Sequence, residues 1–485
     1  MNAKNEHVTY ENVTRELALA VERTGYAQLP PETIAQVKHV VLDSIGCALA
    51  GTITDRARIA LEMIDEFGGN GDAVLIGAGR TSCPLAAFGN SELMNALDYD
   101  IIGPISGHIA PYVIPPCLAI AQREHSSGKD LILALALAQE IGGRSMSAFA
   151  QHKIVKDAPP YYEEHPRFTY ASSIFGGVAG AARLLGLDAA GLCNAFGIAG
   201  ASSPVPATMK WQHMPGPAIM AKYNAWTGWT AQLATVSALA ARRGFTGDTT
   251  ILDGEFGYWN IVASPIFNVG NLLDGLGRDW HLDQVRYKLY PTCYIYHAGI
   301  QGISQLVREH HIDPADITEI VVRGDRLMQT PNRMGVEVNT FADAQFFIRF
   351  NYALAVFYGE KPSPAWQLPE TFNEARIRAL VPKVKLEEHP DFEDYVRSAI
   401  GSGTVPILWS SIVEIAARGE RFSIEVPAPR GSKAFPATQE ELVAKFRINA
   451  SYSRIKTQKV DQIIDLILGL EKLEDVNALF DLLAA

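Results

Sequence analysis

Cysteine is scarce and poorly spaced for metal or redox work. The 485-residue chain has five, Cys47, Cys83, Cys117, Cys193 and Cys293. None forms a Cys-x-x-Cys pair, which leaves zinc ribbons and redox dithiols without ligands. Scattered thiols at this density are expected to be reduced and mostly buried, as in a cytoplasmic protein. Basic charge is also short, with 42 Lys and Arg against 53 Asp and Glu and a net charge of −11. A nucleic-acid surface or an anionic membrane calls for the opposite sign, so neither is expected as a partner. A local basic pocket for a small acid remains compatible with that balance. The apolar stretch inside Asp130–Gln139 is too short to span a bilayer, and the first residues, Met-Asn-Ala-Lys-Asn-Glu-His, carry no signal-peptide core. His-Glu-x-x-His, Walker and Gly-x-Ser-x-Gly motifs are missing, and no internal repeat is present. One glycine pattern, Leu75-Ile-Gly-Ala-Gly-Arg80, has Ser82 where a dinucleotide fingerprint needs its third glycine, and its surroundings read as helical.

What is present is a folded chain too long for one compact core. Its hydrophobic share is 48%, and two or three domains are expected. Residues 1–270 read as helix after helix. Pro31 sits just inside a helix whose apolar residues recur at three and four. Asp130–Ala150, Ser172–Leu187 and Ala221–Arg243 are rich in Ala, Leu and Gly and are expected to be buried on most faces. Gly176, Gly177 and Gly180 allow close helix contact, so a bundle with a central buried pair is expected. After residue 270 the texture changes. Ile317–Gly324, Val381–Glu387 and Arg421–Val426 alternate as strands do, with helical stretches at His297–His310 and Asp343–Tyr358. From Thr438 the chain returns to helix. The fold class is mainly α: a large all-helical domain of residues 1–270 plus 437–485, with a smaller α+β lid domain of residues 271–436. Pro427–Pro436 reads as a mobile linker.

Three groups of residues carry chemistry. Asp98, Asp100 and His108 lie on a Gly/Pro-rich loop between two helices, where an imidazole beside carboxylates suits proton transfer. The same three could ligate a metal, and Asp100 could equally cap the next helix. Lys210, between Met209 and Trp211, could present a cation to a carboxylate from an apolar wall or snorkel to solvent. His213 stands three residues on. Lys288 precedes a Tyr-Pro turn, and His297 opens the next helix, whose N-terminus offers backbone N–H groups to an anion; a packed structural histidine is the other reading. Cys293 serves as a nucleophile only beside a base.

Read in order, these segments resemble the MmgE/PrpD family. Leu42-Asp-Ser-Ile-Gly-Cys-Ala-Leu-Ala-Gly51, Asn95-Ala-Leu-Asp-Tyr-Asp100 with His108, and Ala182-Arg-Leu-Leu-Gly-Leu-Asp188 match its landmarks. So do Gly244-Phe-Thr-Gly247, Ile251-Leu-Asp-Gly-Glu-Phe-Gly257, Lys288-Leu-Tyr-Pro291, Asp343-Ala-Gln-Phe346 and Glu440-Glu-Leu-Val-Ala-Lys-Phe446. The family includes 2-methylcitrate dehydratases, cis-aconitate decarboxylases and an iminodisuccinate epimerase. The resemblance implies a helical domain with an α+β lid, a site between them, a homodimer, and no metal or organic cofactor. Its catalytic residues fall on Asp98, His108, Lys210 and Lys288, and its substrate shell on Asp100, Ile102, Arg167, Tyr290, Cys293, His297 and Phe350. Ile102 replaces a Thr of the decarboxylases, Arg167 stands near a usual His (with His165 two residues out of register), Cys293 occupies a His or Cys position, and Phe350 replaces a Tyr.

The resemblance therefore implies a cofactor-independent lyase, a dehydratase or decarboxylase of a small di- or tricarboxylate. Lys210 and Lys288, with Arg167, would hold the carboxylate as charge gathers, while His108, held by Asp98, would move the proton. The alternatives are an epimerase or isomerase of an iminodisuccinate-like dicarboxylate, which needs a second base, and a non-catalytic carboxylate-binding scaffold.

Overall fold

The computed structural model describes residues 10–103, 107–149, 170–204, 215–216, 218–220, 226–262, 264, 267–401 and 407–484, and every absence stated below refers to these residues. The chain is mainly helical, with a small mixed sheet toward its C-terminal part. The N-terminal helices are α1 (Val13–Arg23), α2 (Pro31–Gly51), α3 (Asp55–Phe67), α4 (Cys83–Asn95), α5 (Ala110–Arg123), α6 (Gly128–Phe149), α7 (Ile174–Leu184), α8 (Ala189–Ser202) and α9 (Thr227–Arg242). Pro31 opens α2 at a position where a missing N–H costs nothing. Helices α4 and α5 are buried along almost their whole length, as their near-continuous apolar sequences require.

Helices α6 and α7 pack in close contact. A Cβ on Gly176 would fall inside contact distance of the Ala138 carbonyl and 2.6 Å from the Gly142 nitrogen. Gly180 meets the Ala134 carbonyl and Cys117 in the same way. The glycines thus bring backbone against backbone, as their spacing suggests. The expected helix at Ala221–Arg243 starts later, at Thr227, with 221–225 outside the described residues. The stretch from Ser172 opens as a 3-10 turn, Tyr170–Ser173, before α7.

The pattern at Leu75–Arg80 is neither helical nor a nucleotide loop. It is a hairpin of β1 (Ala73–Leu75) and β2 (Gly79–Thr81), paired antiparallel, and Gly77 and Gly79 take positive φ at its turn. The larger sheet has the order β4 (Val384–Glu388), β3 (Ile317–Gly324), β5 (Ser411–Ala417), β6 (Glu420–Val426). The β3–β4 pair is parallel and the others antiparallel. β4 begins three residues later than expected, because Val381–Lys383 closes a 3-10 turn around Pro382. Helix His297–Glu309 packs on β5 and β6, and its Gly302 lies against Val413.

Two large apolar clusters result. One joins residues of α1 to α9 with Tyr287, Leu442, Phe446 and the last helices, Thr457–Leu468 and Asn477–Leu483. The other is built from the sheet and its helices, Ile295 to Ala417. Helix Gln439–Ala450 starts on a reciprocal cap between Thr438 and Glu441 and lays Phe446 on Gly46 of α2. The segment Pro427–Pro436, expected as a mobile linker, is pinned instead. Gly431 accepts a backbone hydrogen bond from Tyr287 at 2.9 Å, and Arg430 binds Glu441 and the Gln301 side chain. No single described helix is long and apolar enough to cross a membrane.

Because Gly176 faces backbone rather than a yielding side chain, Gly176→Ala is expected to lower stability by about 1–3 kcal/mol. The measurement is the urea midpoint of unfolding, and an unchanged midpoint would show that α6 and α7 part without penalty.

Candidate active site

The loop after α4 turns sharply at Asp98, which has φ 51°, in the left-handed region. Aspartate tolerates that region better than most residues, but such a conformation persists only where the surroundings impose it. They do so through four consecutive carbonyls. The Ala96 carbonyl accepts from Gln345 Nε2 at 2.7 Å, that of Leu97 from Gln367 Nε2 at 2.7 Å, that of Asp98 from Lys288 Nζ at 2.7 Å, and that of Tyr99 from Lys445 Nζ at 2.8 Å. Each donor comes from a distant part of the chain. Gln345 and Gln367 also bond each other at 2.8 Å.

This clamp aims three titratable side chains at one another. His108 Nδ1 lies 2.8 Å from Asp100 Oδ2, and His108 Nε2 lies 3.4 Å from Asp98 Oδ1. Lys288 Nζ forms an ion pair with Asp98 Oδ2 at 3.0 Å. Asp98, Asp100, His108 and Lys288 are all buried. The shorter histidine contact is therefore to Asp100, not to Asp98 as the sequence suggested, and Asp98 faces the ammonium. Asp100 is in turn held by Asn95 Nδ2 at 2.9 Å, and Asn95 accepts from Arg56 Nη1 at 3.1 Å. Arg56 is anchored on Glu92 at 2.6 Å. Glu92 also receives the Gly228 N–H at 2.7 Å, where a carboxylate suits the start of α9.

Burial pushes the Asp100 carboxyl up, but the charge and hydrogen bond of His108, and then Lys288, outweigh it and hold the group below its ordinary range. His297 goes the other way. Burial, and then the Lys288 charge, pull it well below its ordinary value of 6.5. It opens its helix fully enclosed, with Nε2 3.4 Å from the Thr292 carbonyl and Tyr290 and Tyr294 against its ring at 5.1 and 4.9 Å.

The ligand atoms of Asp98, Asp100 and His108 lie within 4.8 Å of one another, a spacing that could hold a metal ion. A cation at that point would face the Lys288 ammonium, already 3.0 Å from Asp98, so the donor set suits a proton better than a divalent ion.

Other expected residues fall as follows. Ile102 pairs its backbone with Arg286 in an antiparallel bridge. Tyr290 stacks on Trp366 at 5.6 Å. Cys293 is half-buried and packs against both large apolar clusters. Phe350 lies inside the sheet cluster, where it lines a cavity of about 160 Å³ with Val336, Phe372 and Arg378. Lys210, His213, His165 and Arg167 lie outside the described residues. Sequence reading missed Asn95, Gln345, Gln367 and Lys445 as positioning residues. The available signal was a polar residue on an apolar helix face, as Lys445 sits between Leu442 and Phe446.

A helical body, a small α+β unit, and a buried group of two carboxylates and an imidazole on a clamped loop, met by the Lys288 ammonium, are the features that the comparison with known proteins must account for. The MmgE/PrpD N-terminal domain matches residues 15–267 and the MmgE/PrpD C-terminal domain matches residues 290–470; the chain belongs to the MmgE/PrpD family. It is similar to human cis-aconitate decarboxylase, 26% identical over 98% of this chain and 95% of that one. It is similar also to the cis-aconitate decarboxylase of Aspergillus terreus, 24% identical over 97% and 96%.

Two outcomes follow from the electrostatics. His297 is neutral when buried and takes up a proton near pH 6.5 once unfolded, so the unfolded chain binds more protons and stability falls as pH drops below 6.5. His297→Asn is expected to flatten that decline by up to about 1.4 kcal/mol per pH unit, read from urea unfolding between pH 5 and pH 8. Lys288→Met strands Asp98 without its ammonium. A loss of about 3–5 kcal/mol is expected, with part of it recovered in the Lys288→Met, Asp98→Asn double variant.

Proposed function

We propose that this chain is a cofactor-independent lyase that moves a proton at a carbon next to a carboxylate in a small di- or tricarboxylate. Decarboxylation is the first reaction to examine, because the relatives bear that name. The observation that carries the reading is one imidazole between two buried carboxylates with an ammonium beside them.

The geometry supports separate roles. Asp100 makes the short contact and orients the ring through Nδ1. Nε2 makes the long one and is the nitrogen left to exchange a proton with substrate. Lys288 supplies positive charge where a carboxylate gathers a second negative one, with Lys210 and Arg167 as further proposed cations. In a decarboxylation the carbon–carbon bond to the departing carboxylate breaks and carbon dioxide leaves. The electron pair stays on carbon, spread onto the neighbouring carboxylate, until the His108 Nε2 proton quenches it. A dehydration uses the same nitrogen to take the proton and a donor to release the hydroxyl as water. A homodimer and a cytoplasmic location belong to the same reading, and sedimentation and cell fractionation test them.

The enzyme should be incubated with cis-aconitate, methylcitrate and iminodisuccinate in deuterated water. Turnover of one of the first two is expected, and His108→Ala should reduce it at least ~100-fold. Exchange on iminodisuccinate alone would replace the lyase with an epimerase. A folded protein inert to all three, or a fully active His108→Ala variant, would sink the reading.

A further inference from the structure

The segment that delivers Lys288 carries a second cation. Arg286 exchanges both backbone hydrogen bonds with Ile102, at 2.9 Å each, in an isolated antiparallel bridge that sets this stretch against the Asp98–His108 loop. Side chains alternate along backbone that runs extended through such a bridge. Tyr287 turns toward the helical body, where its hydroxyl accepts from Gln36 at 3.0 Å. Arg286 and Lys288 therefore share the opposite face, with Cα atoms roughly 6–7 Å apart at extended spacing.

Arg286 is half-buried, and its guanidinium makes no hydrogen bond or ion pair among the described residues. Its face lies over Trp409, 5.2 Å from the ring centroid. Trp409 meets Tyr294 edge-on at 5.1 Å. The Tyr294 hydroxyl is buried and has no partner among the described residues, and the residue is 3% exposed. The side chains whose charge acts on the guanidinium are the phenols of Tyr294 and Tyr395, and no carboxylate is among them. Burial pulls the guanidinium below its ordinary range, as expected of a cation short of counter-charge.

Five guanidinium donors and a phenol left without acceptors in a partly dry place are costly. The same groups match a carboxylate, with the planar fork taking both oxygens and the hydroxyl adding a further donor. We propose that Arg286 and Tyr294, walled by Trp409, form a second carboxylate subsite that holds the substrate's carboxylate remote from the reacting carbon. The subsite rests on the polycarboxylate reading above and deepens it. Lys288 addresses the carboxylate beside the reaction, and Arg286, on the same face, addresses another and selects molecules with more than one.

The test is calorimetric titration of the full chain with tricarballylate, an unreactive tricarboxylate, alongside circular dichroism of each variant. Arg286→Ala is expected to weaken binding about 10- to 100-fold and Tyr294→Phe about 3- to 10-fold. Arg286→Lys should fall between wild type and Arg286→Ala, because it keeps the charge and loses the fork. Added guanidinium ion should restore part of the Arg286→Ala loss, which a purely structural role would not allow. Folded Arg286→Ala and Tyr294→Phe variants that bind within twofold of wild type would overturn the subsite alone. A wild-type protein that ignores tricarballylate and all three candidate substrates would overturn the subsite and the polycarboxylate reading together.

Discussion

Four carbonyl oxygens in a row, from Ala96 to Tyr99, take side-chain donors from four remote places. A buried loop has backbone groups that no ladder satisfies, and each one left bare is costly. Here the satisfaction is also the means of assembly. Lys445 arrives from the last part of the chain and Gln345 and Gln367 from the sheet unit, so the loop takes its shape only when all of these have docked. The left-handed turn at Asp98 is affordable because its neighbours on both sides are tied.

The same arrangement explains how so many charges stay buried. Asp43 pairs with Lys445 at 2.7 Å, and Lys445 also lies over the Tyr99 ring. Asp98 pairs with Lys288, and Asp100 with His108. A buried ion pair is weak evidence for stability, and an apolar core of equal volume would often serve better. Its persistence beside a strained backbone fits a site in which charge has a task. Lys288 is the hinge of that task, because one ammonium ties the carbonyl and the carboxylate of Asp98 and also presses His297 toward neutrality.

The aromatic residues after Lys288 do separate work. Tyr290 and Tyr294 lie against His297, Trp366 stacks on Tyr290, and Trp409 meets Tyr294 and lies under Arg286. They form a low-dielectric wall behind the polar group, where each hydrogen bond counts for more than it does in water. Within this wall, Arg286 and Tyr294 have donors to offer, whereas the donors of Gln345 and Gln367 are already spent on the loop.

Local pattern was enough for much of the architecture. Ala- and Gly-rich periodicity foretells buried helices at α6 and α7, alternation foretells β3 and β6, and the ordered landmarks point to the family and to Asp98, His108 and Lys288. β5 was not foreseen, although its burial alternates strictly along Ser411–Ala417. What the chain could not disclose in one dimension is pairing. Whether His108 leans on Asp98 or Asp100 turns on tenths of an ångström, set by a left-handed residue and by Asn95 behind it. Gln345, Gln367 and Lys445 look like ordinary polar residues until folding brings them to the loop. Periodicity is a property of neighbours in sequence, whereas a hydrogen bond across hundreds of residues exists only after the core has closed.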